Sequence, residues 1–374
     1  MMNENFKPLF ESIDFKNGLQ LKNRVVMAPM TNFASHPDGT VSDEEIAYYE
    51  RRSKGVGMVI TACTYVTANG KGFHGEFGGH DDSMIPSFRR LASSIKAKGA
   101  KAVLQIFHGG RECPTELVPN GETVSASAVA KEGSDVTPRA LTENEVEEMI
   151  TAFGETTRRA IEAGFDGVEI HGANGYLIHQ FFSPHSNRRE DRFGGSLEKR
   201  LTFPLAVVDE VQKVVNAHAK EPFIVGYRFS PEEETTPGFT MADTLVLVDA
   251  LADKGLDYLH VSLMDFWSEP RRGVDTTKLR IEYLLETIGN RVPFIGVGSI
   301  HTPEEAVKAL STGSSMVALG RELIMEPDWV EKVVEGKEAE IATTLSKKDQ
   351  EKLIIPDYLW QAIINSPGWF PVVD

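Results

Sequence analysis

Cysteine is nearly absent from this chain: among 374 residues there are two, Cys63 and Cys113. That is too few for a disulfide scaffold, a cysteine zinc cage or an iron–sulfur cluster. Long apolar runs are missing too, and nothing approaches the roughly 20 residues of a membrane span. The opening MMNENFKPLF lacks the basic-then-apolar order of a signal peptide. A reducing, cytoplasmic setting is therefore expected. Positive charge is short: 39 Lys and Arg face 55 Asp and Glu, for a net charge of −16. Nucleic acid or an anionic membrane would demand a basic stripe, so neither is an expected partner, whereas a small anionic ligand needs only local donors. No GxGxxG follows an early strand. The nearest stretch, GVGSIH from Gly296, lacks the third glycine and comes late, which argues against an open dinucleotide-binding sheet.

What is present is a repeat. KGVGMVI from Lys54, KGAKAVL from Lys98, AGFDGVEI from Ala163, KGLDYLHV from Lys254 and TGSSMVAL from Thr312 each read as a glycine closing a helix followed by a short apolar strand. The gaps admit three more strands, at Val25, Phe223 and Pro293. Helical patterns separate all eight. Ser42…Glu45, Thr142…Glu145 and Thr302…Glu305 have capping-box spacing, the last with Pro303 at the first helical position. Strand and helix in eight alternations predict a closed (β/α)8 TIM barrel. Residues 1–336 form its expected extent. Within them, residues 10–23 carry Asn17-Gly18 between alternating apolar residues, an N-terminal β-hairpin signal, and this hairpin is expected to plug the barrel floor. Residues 337–374, with three prolines and two tryptophans, form a C-terminal extension expected to pack on the barrel or on a neighbouring subunit. A homo-oligomer stays open.

Candidate chemistry gathers at the strand ends, where barrel enzymes place their sites. The fourth strand ends in His171, Asn174 and Tyr176: an imidazole, an amide and a phenol, but no obvious nucleophile. Neutral donors of this kind suit an oxygen on which negative charge builds, with a proton to hand over. Gln105 and Arg228 end the third and fifth strands. Gly298-Ser299 and Gly320-Arg321 end the seventh and eighth; they fit a phosphate held by backbone amides and a guanidinium, and equally fit plain tight turns. Phe266 and Trp267, after the sixth strand, are candidates for a substrate-pocket wall. His74, His80, Asp81 and Asp82 lie in glycine-rich sequence with no matching second pair, so no metal is expected. Asn69–Ser83, Gly109–Leu141 and Leu263–Leu279 are long loops, and loops of this length inside a compact domain are usually functional.

Taken together, APMT, QIFHGGR, HGANGYLIHQFFSP, NRREDRFGGS and ALGREL, in this order from about Leu21 to about Trp329, resemble the old yellow enzyme family. That resemblance implies an FMN-dependent oxidoreductase that takes hydride from NADH or NADPH and reduces activated alkenes, α,β-unsaturated carbonyls and nitro compounds among its acceptors. It implies that Pro29, Met30 and Thr31 lie along the flavin ring with Cys63 nearby. Gln105 would meet the pyrimidine edge and Arg228 the N1 side. Gly298, Ser299, Gly320 and Arg321 would hold the phosphate. His171 and Asn174 would bind the substrate oxygen, and Tyr176 would donate the proton. Thr31 and Phe33 depart from one bacterial branch, which has cysteine and tyrosine there, and no arginine follows Arg321. Two other functions remain open on the sequence: an NADH oxidase or nitro-reducing detoxifier without a single natural substrate, and a non-enzymatic flavin-binding redox sensor.

Overall fold

The computed structural model describes residues 2–374. Eight parallel strands close into a barrel in sequence order. They are β1 (Val25–Met27), β2 (Met58–Tyr65), β3 (Lys101–Phe107), β4 (Gly167–Gly172), β5 (Ile224–Phe229), β6 (Tyr258–Val261), β7 (Phe294–Val297) and β8 (Met316–Leu319). Every residue of β2, β4, β5, β6, β7 and β8 is buried, because helices cover one face of the sheet and its own interior the other. A bulge shifts the β2–β3 register between Ile60 and Cys63.

The covering helices include α1 (Asp43–Arg52), α2 (Ile85–Ala97), α3 (Glu143–Ala163), α4 (Thr202–His218), α5 (Met241–Ala252), α6 (Arg280–Ile288), α7 (Pro303–Ser311) and α8 (Trp329–Glu335). Thr142 and Thr302 open α3 and α7 with full capping boxes. Ser42 differs. Its hydroxyl accepts from Glu45 N, but the Glu45 carboxylate accepts from Ser35 Oγ at 2.7 Å instead of reaching back. Burial pushes that carboxyl up to about 7. Sequence spacing placed the cap correctly; tertiary packing took the acid.

The hairpin is made of Ile13–Asp14 paired antiparallel with Gln20–Leu21. Its Phe15, Leu19 and Leu21 pack with Val26, Met58, Ile60, Val103, Ile224, Ile295 and Met316 inside the barrel. Most of these lie near the beginnings of their strands, so the N-terminal end of the barrel is closed. The chain after Gly336 lies against the barrel. Leu345, Leu353, Ile355, Leu359, Trp360 and Phe370 join the main core, and the buried Arg52 of α1 donates to Leu353 O at 2.7 Å. Among the described residues, no helix is long and apolar enough to cross a membrane.

Candidate active site

Strand register builds the site. Aligned residues on neighbouring strands point to the same side of the sheet. One row across the barrel runs Cys63, Gln105, Glu169, Gly226 and Tyr258. Two residues further along the strands, His171, Arg228 and His260 are aligned. The three long loops follow β2, β3 and β6, on this same end.

The lower row contains a network that the sequence reading missed. Glu169 is fully buried, and its carboxylate accepts from Gln105 Nε2 at 2.7 Å, Tyr258 Oη at 2.9 Å and His260 Nδ1 at 2.8 Å. Burial alone would raise this carboxyl; His260 and the Arg228 charge outweigh it and hold it low. Burial in turn lowers the His260 imidazole against the pull of Glu169. Gly226 is required because Tyr258 fills its place: a Cβ there would sit 2.1 Å from Tyr258 Cζ. The signal for this network was a charged residue two positions before His171, hence on the same strand face, inside an otherwise apolar run.

Above it, His171 has a fixed tautomer. The Ala173 backbone N–H donates to His171 Nδ1 at 3.3 Å, so the proton sits on Nε2. Burial, reinforced by Arg228, lowers this imidazole to about 3. Asn174, with φ 59°, is held by its backbone N–H donating to Ser230 Oγ and by Ser262 Oγ donating to its side-chain carbonyl, both at 2.8 Å. Among the described residues, none accepts from the amide NH2. The Tyr176 ring lies edge-on to His171 at 5.1 Å and to Phe107 at 4.8 Å. Burial pushes the Tyr176 hydroxyl up, with Cys63 and Glu76 adding to it, so the phenol keeps its proton. Glu76 shapes the loop beside it. Its Oε2 accepts from Gly72 N and Phe73 N at 2.7 and 3.1 Å, and Phe73 packs edge-on to Tyr176. His108 serves the same loops: Nδ1 accepts from Gly110 N and Nε2 faces Asn69 Oδ1 at 3.2 Å.

A cleft of about 350 Å³ opens at this end. Eight expected residues line it, Pro29, Met30, Asn174, Arg228, Gly298, Ser299, Gly320 and Arg321, whereas Thr31, Cys63, Gln105, His171 and Tyr176 are not in its wall. Thr31 lies beside it with Oγ1 4.0 Å from the buried Cys63 Sγ; burial keeps that thiol protonated. Gly298 also serves a tight turn. Its φ is 138°, and a Cβ would lie 2.4 Å from Phe266 N. A cleft of about 450 Å³ at the opposite end, lined by Lys96, Phe165, His218 and Pro222 among others, has none of the candidate residues in its wall.

Phe266 and Trp267 are a correction. Phe266 is fully buried beneath β7, with Gly298 O accepting from its N–H at 3.1 Å. Trp267 faces Lys308 of α7, whose ammonium lies 4.3 Å from the ring centroid. Neither lines the cleft. The loop turns at Asp265, whose carboxylate accepts from Trp267 N, and directs both rings away from it.

Comparison with known proteins gives the family. The family model for the NADH:flavin oxidoreductase / NADH oxidase family matches residues 8–340. The chain belongs to that family. It is 57% identical over 373 residues to the probable NADH-dependent flavin oxidoreductase YqiG of Bacillus subtilis (strain 168), covering 100% of both chains. It is 42% identical to the NADH:fumarate oxidoreductase of Klebsiella pneumoniae (strain 342) over 94% of this chain, but spans only 38% of that longer protein. Morphinone reductase in complex with tetrahydroNAD superposes with a TM-score of 0.79 at 27% identity, covering 98% of each chain. This family member is thus an NAD(P)H-dependent oxidoreductase on the old yellow enzyme barrel, with FMN as its cofactor and a nicotinamide as reductant. The cleft fits FMN by its chemistry. Arg228 brings a buried guanidinium whose Nε has no partner among the described residues, and at the other end the Arg321 guanidinium donates to Ser299 Oγ at 2.7 Å, while the Ser299 hydroxyl itself donates to Met264 O.

Proposed function

We propose that the enzyme reduces activated alkenes, chiefly α,β-unsaturated carbonyl compounds, with nitro compounds as a second acceptor class. The observation that carries this reading is the pair of neutral donors at the end of β4. His171 offers Nε2–H because a backbone amide occupies Nδ1, and Asn174 offers its NH2 because Ser262 occupies its carbonyl. Preorganised donors stabilise an oxygen that gains negative charge in the transition state. Bound FMN supplies the hydride.

The chain's own residues divide the remaining work. Pro29, Met30 and Thr31 would support the ring, with Cys63 behind Thr31. Gln105, braced by Glu169, would meet the pyrimidine edge; Arg228 would counter the charge that collects on the reduced ring. Gly298, Ser299, Gly320 and Arg321 would hold the phosphate. Tyr176, protonated at neutral pH, would deliver a proton to the carbon α to the activating group, a general-acid role. NADH or NADPH and the alkene would use the same open face in turn.

The test is stopped-flow reoxidation of the reduced holoenzyme by 2-cyclohexenone and, separately, by oxygen. Faster reoxidation by the enone supports the proposal. Reoxidation by oxygen alone assigns the enzyme to the NADH oxidase type instead.

A further inference from the structure

The chain's last residues return to the cleft. Ser366-Pro367-Gly368-Trp369 forms a tight turn: Trp369 N donates to Ser366 O at 3.1 Å, and Gly368 has φ 86°. Proline second and a left-handed glycine third are what a type II turn demands. Two anchors fix the turn. Phe370 is buried, and Val372–Val373 pairs with Leu345–Ser346. Held this way, Trp369 is half-buried in the wall of the cleft and is the one aromatic among its lining residues. Its carbonyl accepts from Arg321 Nη1 at 2.9 Å, while Arg321 Nη2 donates to Ser299 Oγ at 2.7 Å. The tail therefore touches Arg321 directly and reaches Ser299 only through it, the two side chains that the function above gives to the phosphate.

We propose that this C-terminal turn is a clamp on the flavin nucleotide. The Trp369 indole covers the phosphate-side end of the bound cofactor, and the Trp369 carbonyl orients the Arg321 guanidinium. Two functions follow from one residue: a flat apolar cover from the side chain, and a positioning contact from the backbone. The inference rests on FMN occupying the cleft. It assigns to the tail a part in cofactor retention, separate from hydride or proton transfer.

The experiment titrates apoprotein with FMN and follows quenching of flavin fluorescence. Trp369→Ala removes the cover and keeps the carbonyl. It is expected to raise the FMN Kd about tenfold, a difference of about 1.4 kcal/mol, and to speed FMN release, while the apoprotein melting temperature stays within a few degrees of wild type. Trp369→Phe, which keeps a ring, should restore most of the affinity. Gly368→Ala strains the turn without deleting a contact and should weaken binding in the same direction. Tyr358→Ala, at a tail position 73% exposed, should change neither affinity nor melting. Wild-type protein that binds FMN, beside Trp369→Ala and Gly368→Ala proteins that bind it equally well, overturns the clamp and leaves the function standing. Wild-type protein that does not bind FMN overturns the function itself.

Discussion

Ser262 Oγ donates to the Asn174 side-chain carbonyl at 2.8 Å. This contact joins the end of β6 to the end of β4 and decides which side of the amide faces the cleft. Asn174→Ala should lower the rate of enone reduction about 100-fold, the scale of losing one preorganised oxyanion donor. Ser262→Ala leaves the amide in place but free to turn, and should cost about 1 kcal/mol, roughly fivefold. Rates of reoxidation by cyclohexenone check both. Equal rates in the Ser262→Ala and wild-type enzymes would remove the orienting role.

Tyr176→Phe keeps the ring packed against Phe107 and His171 and deletes only the hydroxyl. Flavin reduction by the nicotinamide should proceed as in wild type, while enone reduction slows by about 10²-fold or more, as expected for loss of a general acid. Single-turnover measurements of the two half-reactions separate these outcomes. A slowed reductive half-reaction would contradict the assignment of Tyr176 as proton donor.

Burial lowers His171 to about 3, so it is neutral in the native state throughout the ordinary pH range. The unfolded chain protonates it near 6.5. As pH falls from about 6.5 towards 3, the unfolded state gains a proton that the native state refuses, and stability is lost. A neutral amide escapes this penalty, so the advantage of His171→Asn over wild type should grow by up to about 1.4 kcal/mol per pH unit in that window. Urea midpoints of the two apoproteins at pH 7 and pH 5 measure it. A gap that does not widen would mean that the imidazole is charged in the fold.

The Glu169 carboxylate serves three donors in a space that Gly226 keeps open. Glu169→Gln removes the charge that balances the buried Arg228 and should cost about 3 kcal/mol of apoprotein stability, as when one partner of a buried pair is lost. Gly226→Ala must displace the Tyr258 ring and should cost about 1–3 kcal/mol through overpacking. Chemical denaturation reads both. The reduced form of the bound flavin should also become more favourable in Glu169→Gln, seen as a higher midpoint potential in a dye-coupled titration.

The barrel was legible because each repeat unit is locally complete: a helix stop, a glycine and an apolar strand all say the same thing. His171, Asn174 and Arg228 were legible because strand ends in such a barrel converge. Glu169, Tyr258 and His260 were not, since each is hidden in an apolar-looking run, and it takes the strand register, with a glycine of the fifth strand between them, to bring the fourth strand's acid within reach of the sixth. Phe266 and Trp267 show the opposite error. Closeness in sequence to a strand end says nothing about direction, and the turn at Asp265 sends one ring under β7 and the other to α7. Trp369 could not be placed, because its position depends on where a long tail comes to rest.

Phe15 and Leu19 of the hairpin fill the barrel from below. With the base stoppered, the cleft at the opposite rim is the entrance that the proposed function would give to electron donor and electron acceptor in turn. A tight-binding product would then obstruct the incoming nicotinamide as well as the next alkene.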